Sequence, residues 1–215
     1  MAEGKWIHQI SLLTFLVIIF SLTDFQVING ENSHEEVSTP TPIELKQPKL
    51  IVFSLDWVIW PFRVESEVVT PVRKDKRTGR VHDFVKKALG VYADALDALN
   101  TLYLRKYRLA AISDSPDVET NTKLLLYFNL YNYFPIQEMF GGPKSQHLEL
   151  IHRTTQIPYQ DIIYFDVKND QLTGLRKMGL WVVEVESGLS IQDFDRALGL
   201  YNNVTTPAQA LEKTC

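Results

Sequence analysis

The sequence predicts an α/β fold, a doubly wound and mostly parallel sheet. Two observations carry that reading. Four short apolar runs, LIVFSL (50–55), LAAIS (109–113), DIIYFD (161–166) and LWVVEV (180–185), have the length and β-branched content of buried strands. Longer helical patterns separate them, and a strand that pairs in parallel with its predecessor needs a crossover long enough to hold a helix.

In chain order, Lys5 precedes an apolar run at residues 10–22, ISLLTFLVIIFSL, which polar TDFQVING follows. That is the order of a secretory signal, so residues 1–30 are read as a signal peptide or signal anchor. The run falls short of the roughly 18–20 apolar residues that span a bilayer; with Trp6 and Ile7 added, residues 6–22 form the alternative, an uncleaved membrane anchor. The expected location is therefore secreted or in the secretory-pathway lumen, with membrane anchorage as the second reading. Residues 31–45, ENSHEEVSTPTPIEL, are acidic and contain prolines, as in a linker. One domain is expected over 46–203, followed by a tail at 204–215.

Within the domain, residues 68–83 are polar with a Thr78-Gly79 turn signal and read as a hairpin or flap over the exit of the first strand. Leu89, Tyr92, Leu96, Leu99 and Tyr103 recur at helical steps and predict a crossover helix with one apolar face. Ser115-Pro116-Asp117 opens a helix at 118–128, Pro143 starts a third that carries Lys144, and Ser190 caps a last one at 191–201.

Composition narrows the class further. With 22 basic against 26 acidic residues and 45% hydrophobic residues, the chain reads as globular, and no basic tract calls for nucleic acid. Cys215 is the only cysteine, so no intrachain disulfide forms. Asn203-Val204-Thr205 is the only N-glycosylation sequon. His147 and His152 are five apart, which does not place them on one helix face as a metal pair. The aromatic run Tyr127, Phe128, Tyr131, Tyr133 and Phe134 reads as packing at a helix-to-strand junction. Open α/β sheets bind ligands beyond the carboxyl ends of their strands, which singles out Asp56, Ser113, Asp166 and, at a helix start, Lys144.

The stretches KLIVFSLDWVIWPF (49–62), RVHD (80–83), LAAISDS (109–115), FGGPKSQHLELI (140–151), IPYQDIIYFD (157–166) and KMGLWVVEVESGLS (177–190) together resemble the haloacid dehalogenase-like (HAD) superfamily. Within it they are similar to the small eukaryotic magnesium-dependent phosphatases, over residues 48–201. The resemblance implies a Rossmann-like sheet without a large cap domain. It also implies phosphomonoester hydrolysis through an aspartyl-phosphate with Mg²⁺ as cofactor. Where the family has D-x-D-x-T, this chain has Ser54, Asp56 and Val58, so the nucleophile and the threonine are both replaced.

The same resemblance makes Asp56 the general acid/base and its backbone carbonyl a metal ligand. Ser113 and Lys144 take the phosphate-binding positions, and Asp166 the metal-binding one. Relatives tend to carry Arg where Asp114 stands, and F-D-D where this chain has Phe165-Asp166-Val167; Asp170 offers a D-x-x-x-D substitute ligand. Carboxylate attack yields an acyl phosphate that water cleaves, whereas attack by Ser54 would leave an alkyl phosphate no more labile than a phosphomonoester substrate. The expectation is a catalytically impaired homologue of acid and protein tyrosine phosphatases, a pseudoenzyme with weakened Mg²⁺ binding. Its expected partners are phosphorylated small molecules or phosphoproteins, and no membrane unless the N-terminal anchor is kept. Two alternatives stand beside it: an active phosphatase on phosphotyrosine or sugar phosphates with a substituted site, and a secreted structural or interaction protein.

Overall fold

The computed structural model describes residues 46–203 and Pro207. The signal segment, the acidic linker, Cys215 and most of the tail lie outside them, with Val204 and Thr205 of the sequon. The strands are β1 (Leu50–Ser54), β2 (Arg73–Lys74), β3 (Val81–His82), β4 (Ala88–Leu89), β5 (Leu109–Ser113), β6 (Ile136–Met139), β7 (Ile162–Val167) and β8 (Trp181–Val185). The α-helices are α1 (Val64–Glu67), α2 (Ala93–Leu104), α3 (Val118–Tyr127), α4 (Lys144–Thr155), α5 (Leu172–Lys177) and α6 (Ile191–Asn203).

Five strands form one sheet in the order β6-β5-β1-β7-β8, every pair parallel. Strand β1 is central, so its C-terminal end lies between those of β5 and β7. Strands β2, β3 and β4 make a small antiparallel sheet, the flap expected after the first strand.

Alternation along the strands divides the core in two. Ile51, Phe53 and Phe165 pack with Ala95, Leu99 and Leu102 of α2, Leu124 of α3 and Phe194 of α6. Leu50, Val52, Ile162 and Tyr164 pack with Leu148 and Ile151 of α4 and Leu172 and Leu175 of α5. Because side chains alternate along a strand, Ser54 shares the face of Leu50 and Val52, and Asp166 that of Ile162 and Tyr164. This is the α4 side, and it brings Lys144 to them.

Three elements differ from the sequence reading. Strand β6 was missed because IQEM has no apolar alternation; it is a half-buried edge strand, where polar side chains stay wet. The six-residue α5 is too short to show a period. The crossover helix begins after Leu89, which lies in β4, and Leu96 and Tyr103 of its expected apolar face are exposed. The buried stripe is Ala95, Ala98, Leu99 and Leu102, an i, i+3, i+4, i+7 set, and α2 packs closely beside α6. The caps follow the sequence: Asp117 accepts the Thr120 amide at 2.9 Å, and Ser190 and Asp193 form a reciprocal box at the start of α6.

Candidate active site

Lys144 is the first residue of α4, and its backbone amide donates to Gln171 Oε1 at 2.9 Å, which ties the helix start to the loop after β7. Its ammonium reaches back to the strand ends. Lys144 Nζ donates to Ser54 Oγ at 2.9 Å and to Asp166 at 2.9 Å (Oδ2) and 3.2 Å (Oδ1). The pair is sealed from solvent, with the lysine side chain 5% and the aspartate 0% exposed. Such burial is tolerated only when both charges are paired and their remaining valences met.

Asp166 meets that condition in full. Besides Lys144, its Oδ1 accepts the Val167 amide at 2.9 Å; its Oδ2 accepts the Tyr164 hydroxyl at 2.8 Å and Asn169 Nδ2 at 2.9 Å. Tyr164 is fully buried; burial first, then the neighbouring Asp166 carboxylate, pushes its pKa well up, so it stays a donor. A carboxylate offers about four lone-pair sites, and here all are engaged.

The other part of the cleft is built differently. Just past β1 the chain turns sharply, with Trp57 at φ 63°, a left-handed conformation that strains a bulky residue. The turn closes with Trp57 N donating to Trp60 O at 2.8 Å, and the Trp60 indole N–H donates to Asp56 Oδ1 at 2.8 Å. The Val64 amide reaches Oδ2 at 3.4 Å. Among the described residues no cation is bonded to Asp56. Burial pushes its carboxyl up to about 6 and Asp114 adds to the rise, while the Trp60 and Val64 bonds and the more distant Lys144 charge oppose it. A carboxyl in that range exchanges protons near neutral pH.

Ser113, at the end of β5, is buried, and its hydroxyl accepts the Ser115 amide at 3.2 Å. Among the described residues no hydrogen bond joins it to Lys144. Val58 is fully buried in the core. Asp170 is exposed and takes no part in the Asp166 network; Asn169, one residue earlier, does. His147 is buried and stacks on Phe140, and burial holds its pKa low against the opposing Gly142 and Glu138 backbone groups. His152 pairs with the Ile157 carbonyl, so the two histidines share no ligand.

Sequence reasoning thus singled out Ser54, Lys144 and Asp166, which the fold brings into contact, and Asp56 beside them. It missed Tyr164, Asn169 and the indole of Trp60. Strand alternation was the available signal for Tyr164, two residues before Asp166 on the same face.

A divalent cation does not fit between position 54 and Asp166. Mg²⁺ requires near-octahedral oxygen ligands and at least one carboxylate with a free lone pair. Ser54 is neutral, position 167 is valine, and Asp166 is saturated by donors. No group of three or more His, Cys, Asp or Glu able to hold a metal occurs among the described residues.

A five-stranded parallel sheet with a buried carboxyl, Asp56, just past the central strand, Asp166 at the end of neighbouring β7 and Lys144 at the start of α4 defines the class: a HAD-like Rossmannoid protein. Solved structures agree on the fold. A HAD-superfamily hydrolase from Ehrlichia chaffeensis matches with a TM-score of 0.53 over 74% of this chain and 100% of that one, at 10% identity. An uncharacterized protein from Listeria monocytogenes matches with a TM-score of 0.53 over 73% and 99%, at 12% identity.

The chain belongs to the acid phosphatase family, whose model matches residues 46–204. It is 30% identical over 159 residues to human magnesium-dependent phosphatase 1, covering 74% of this chain and 90% of that protein. A HAD-like hydrolase superfamily protein of Schizosaccharomyces pombe is 25% identical over 129 residues, 55% of this chain and 75% of the relative.

Proposed function

We propose that this protein is a phosphatase-family member whose cleft no longer turns over phosphomonoesters. One observation carries the reading: at the end of the central strand, where the family needs an attacking carboxylate, a serine hydroxyl accepts a hydrogen bond from Lys144 at 2.9 Å. Phosphorylated Ser54 would be a dead end, since an alkyl phosphate offers water no better leaving group than the substrate did. Nor does Lys144 suit Ser54 as a base, because its side chain is already committed to the ion pair with Asp166. Mg²⁺ binding is weakened for the reasons of ligand supply given above.

Family membership supports phosphorylated small molecules as the ligand class. Here the single ammonium is already paired, and Asp56 and Asp114 add negative charge. Anion affinity is therefore low and rises as Asp56 gains its proton below pH about 6. Sulfate, which does not titrate there, reads this effect without a change in its own charge. The N-terminal apolar segment supports a secretory route; a glycosidase-sensitive mass that disappears in Asn203→Gln checks it.

A second reading, a working phosphatase, has one observation in its favour: Asp56 titrates where an acid/base catalyst should. The decisive assay is release of p-nitrophenol from p-nitrophenyl phosphate with Mg²⁺. We expect none above a protein-free blank. Turnover that vanishes in Asp56→Asn overturns the proposal in favour of the second reading.

A further inference from the structure

We infer that the cation site of this cleft is closed by Tyr164 and Asn169, and that the loss of acidic residues at positions 54 and 167 is only part of the change. The inference rests on the reading of an impaired site and deepens it, because it says what now does the metal's electrostatic work and which side chains keep the metal out.

The argument is one of valence. Lys144 and the Val167 amide alone would leave Asp166 with an open lone pair, mainly on Oδ2, and a divalent ion needs such an opening. The Tyr164 hydroxyl at 2.8 Å and Asn169 Nδ2 at 2.9 Å occupy that oxygen. Neither donor yields easily. Tyr164 has no exposed surface, and its ring is packed in the core against α4 and α5. The Asn169 amide is held from both sides: the same Nδ2 donates to the Val167 carbonyl at 2.8 Å, and Oδ1 accepts the Gln171 amide at 3.0 Å.

Those bonds tie the loop after β7 to the Asp166 carboxylate, and Gln171 ties that loop to the Lys144 amide. A divalent ion would therefore have to break an interlocked set of hydrogen bonds. The charge of Asp166 itself is matched as well: its buried carboxylate faces the buried Lys144 ammonium, and Ser54 is neutral. The ammonium balances Asp166 with no metal present. It follows that restoring a carboxylate at 167 is not enough to restore metal binding.

The test reads ion binding rather than catalysis. Mn²⁺, followed by loss of the free-ion electron paramagnetic resonance signal, is titrated into the full-length chain and its variants, all with Ser54 in place. The unmodified chain and Val167→Asp are expected to bind no Mn²⁺ in the low millimolar range. Adding Asn169→Ala to Val167→Asp should raise affinity several-fold, and adding Tyr164→Phe as well should raise it at least tenfold over Val167→Asp. Urea unfolding of each variant confirms that the folded protein is titrated. Binding by the unmodified chain, equal binding by Val167→Asp and the triple variant, or no gain in either combined variant overturns the inference. None of these results bears on the missing nucleophile, so failure here leaves the proposed loss of turnover standing.

Discussion

The two parts of the cleft have taken different courses. Around Lys144 and Asp166 both charges are paired and every lone pair of the carboxylate is used, as in a protein core. Around Asp56 a carboxyl receives only two neutral donors, faces Asp114, and is pushed up to about 6. The first arrangement resists water and ions. The second keeps a carboxyl whose charge changes near pH 6. On the proposed reading, catalytic chemistry is separable, residue by residue, from the scaffold that positions it.

The contrast is broken most strongly at Lys144. Lys144→Met strands a fully buried carboxylate, and urea unfolding at pH 7 should show a loss of about 3–5 kcal/mol. The sign reverses on the other side. An ionised Asp56 is disfavoured in the folded state, so the native protein bears a penalty that is absent below pH about 4 and complete above pH about 6. Asp56→Asn keeps an acceptor for the Trp60 indole and should raise stability at pH 7.5 by up to about 3 kcal/mol, with no gain at pH 4; unfolding at both values checks the difference.

Smaller changes sharpen the picture. Tyr164→Phe removes one donor from a carboxylate that keeps three others, and should cost about 1–2 kcal/mol in the same unfolding experiment. Ser54→Ala takes from Lys144 an acceptor that is secondary to Asp166, and should cost about 1 kcal/mol. If Ser54→Ala proved as damaging as Lys144→Met, the serine would be the anchor of the network and the carboxylate its accessory.

Most of this architecture was legible in the sequence where a local pattern reports a buried surface. LIVFS and LAAIS, buried at every position, could be little else but central parallel strands. IQEM could not be read so, since an edge strand is free to carry polar residues. On α2 large side chains were overweighted, and alanines proved to be half of its buried face. The site was legible through Ser54, Asp56, Lys144 and Asp166 because the family register numbers those positions. Tyr164 and Asn169 escaped because saturation of a carboxylate is a property of five groups from one strand, a helix and a loop. Only their distances reveal it.

The central claim is that hydrolysis was lost with the nucleophilic carboxylate, the metal ligand and the closing of Asp166, on a fold otherwise intact. Mg²⁺-dependent release of p-nitrophenol by Ser54→Asp/Val167→Asp, with Tyr164→Phe and Asn169→Ala to reopen Asp166, tests it most directly against the unmodified chain. The account predicts turnover in the repaired protein alone, abolished again by Asp56→Asn. Equal turnover by the unmodified chain, or a repaired protein that binds Mg²⁺ and stays inert, would contradict it.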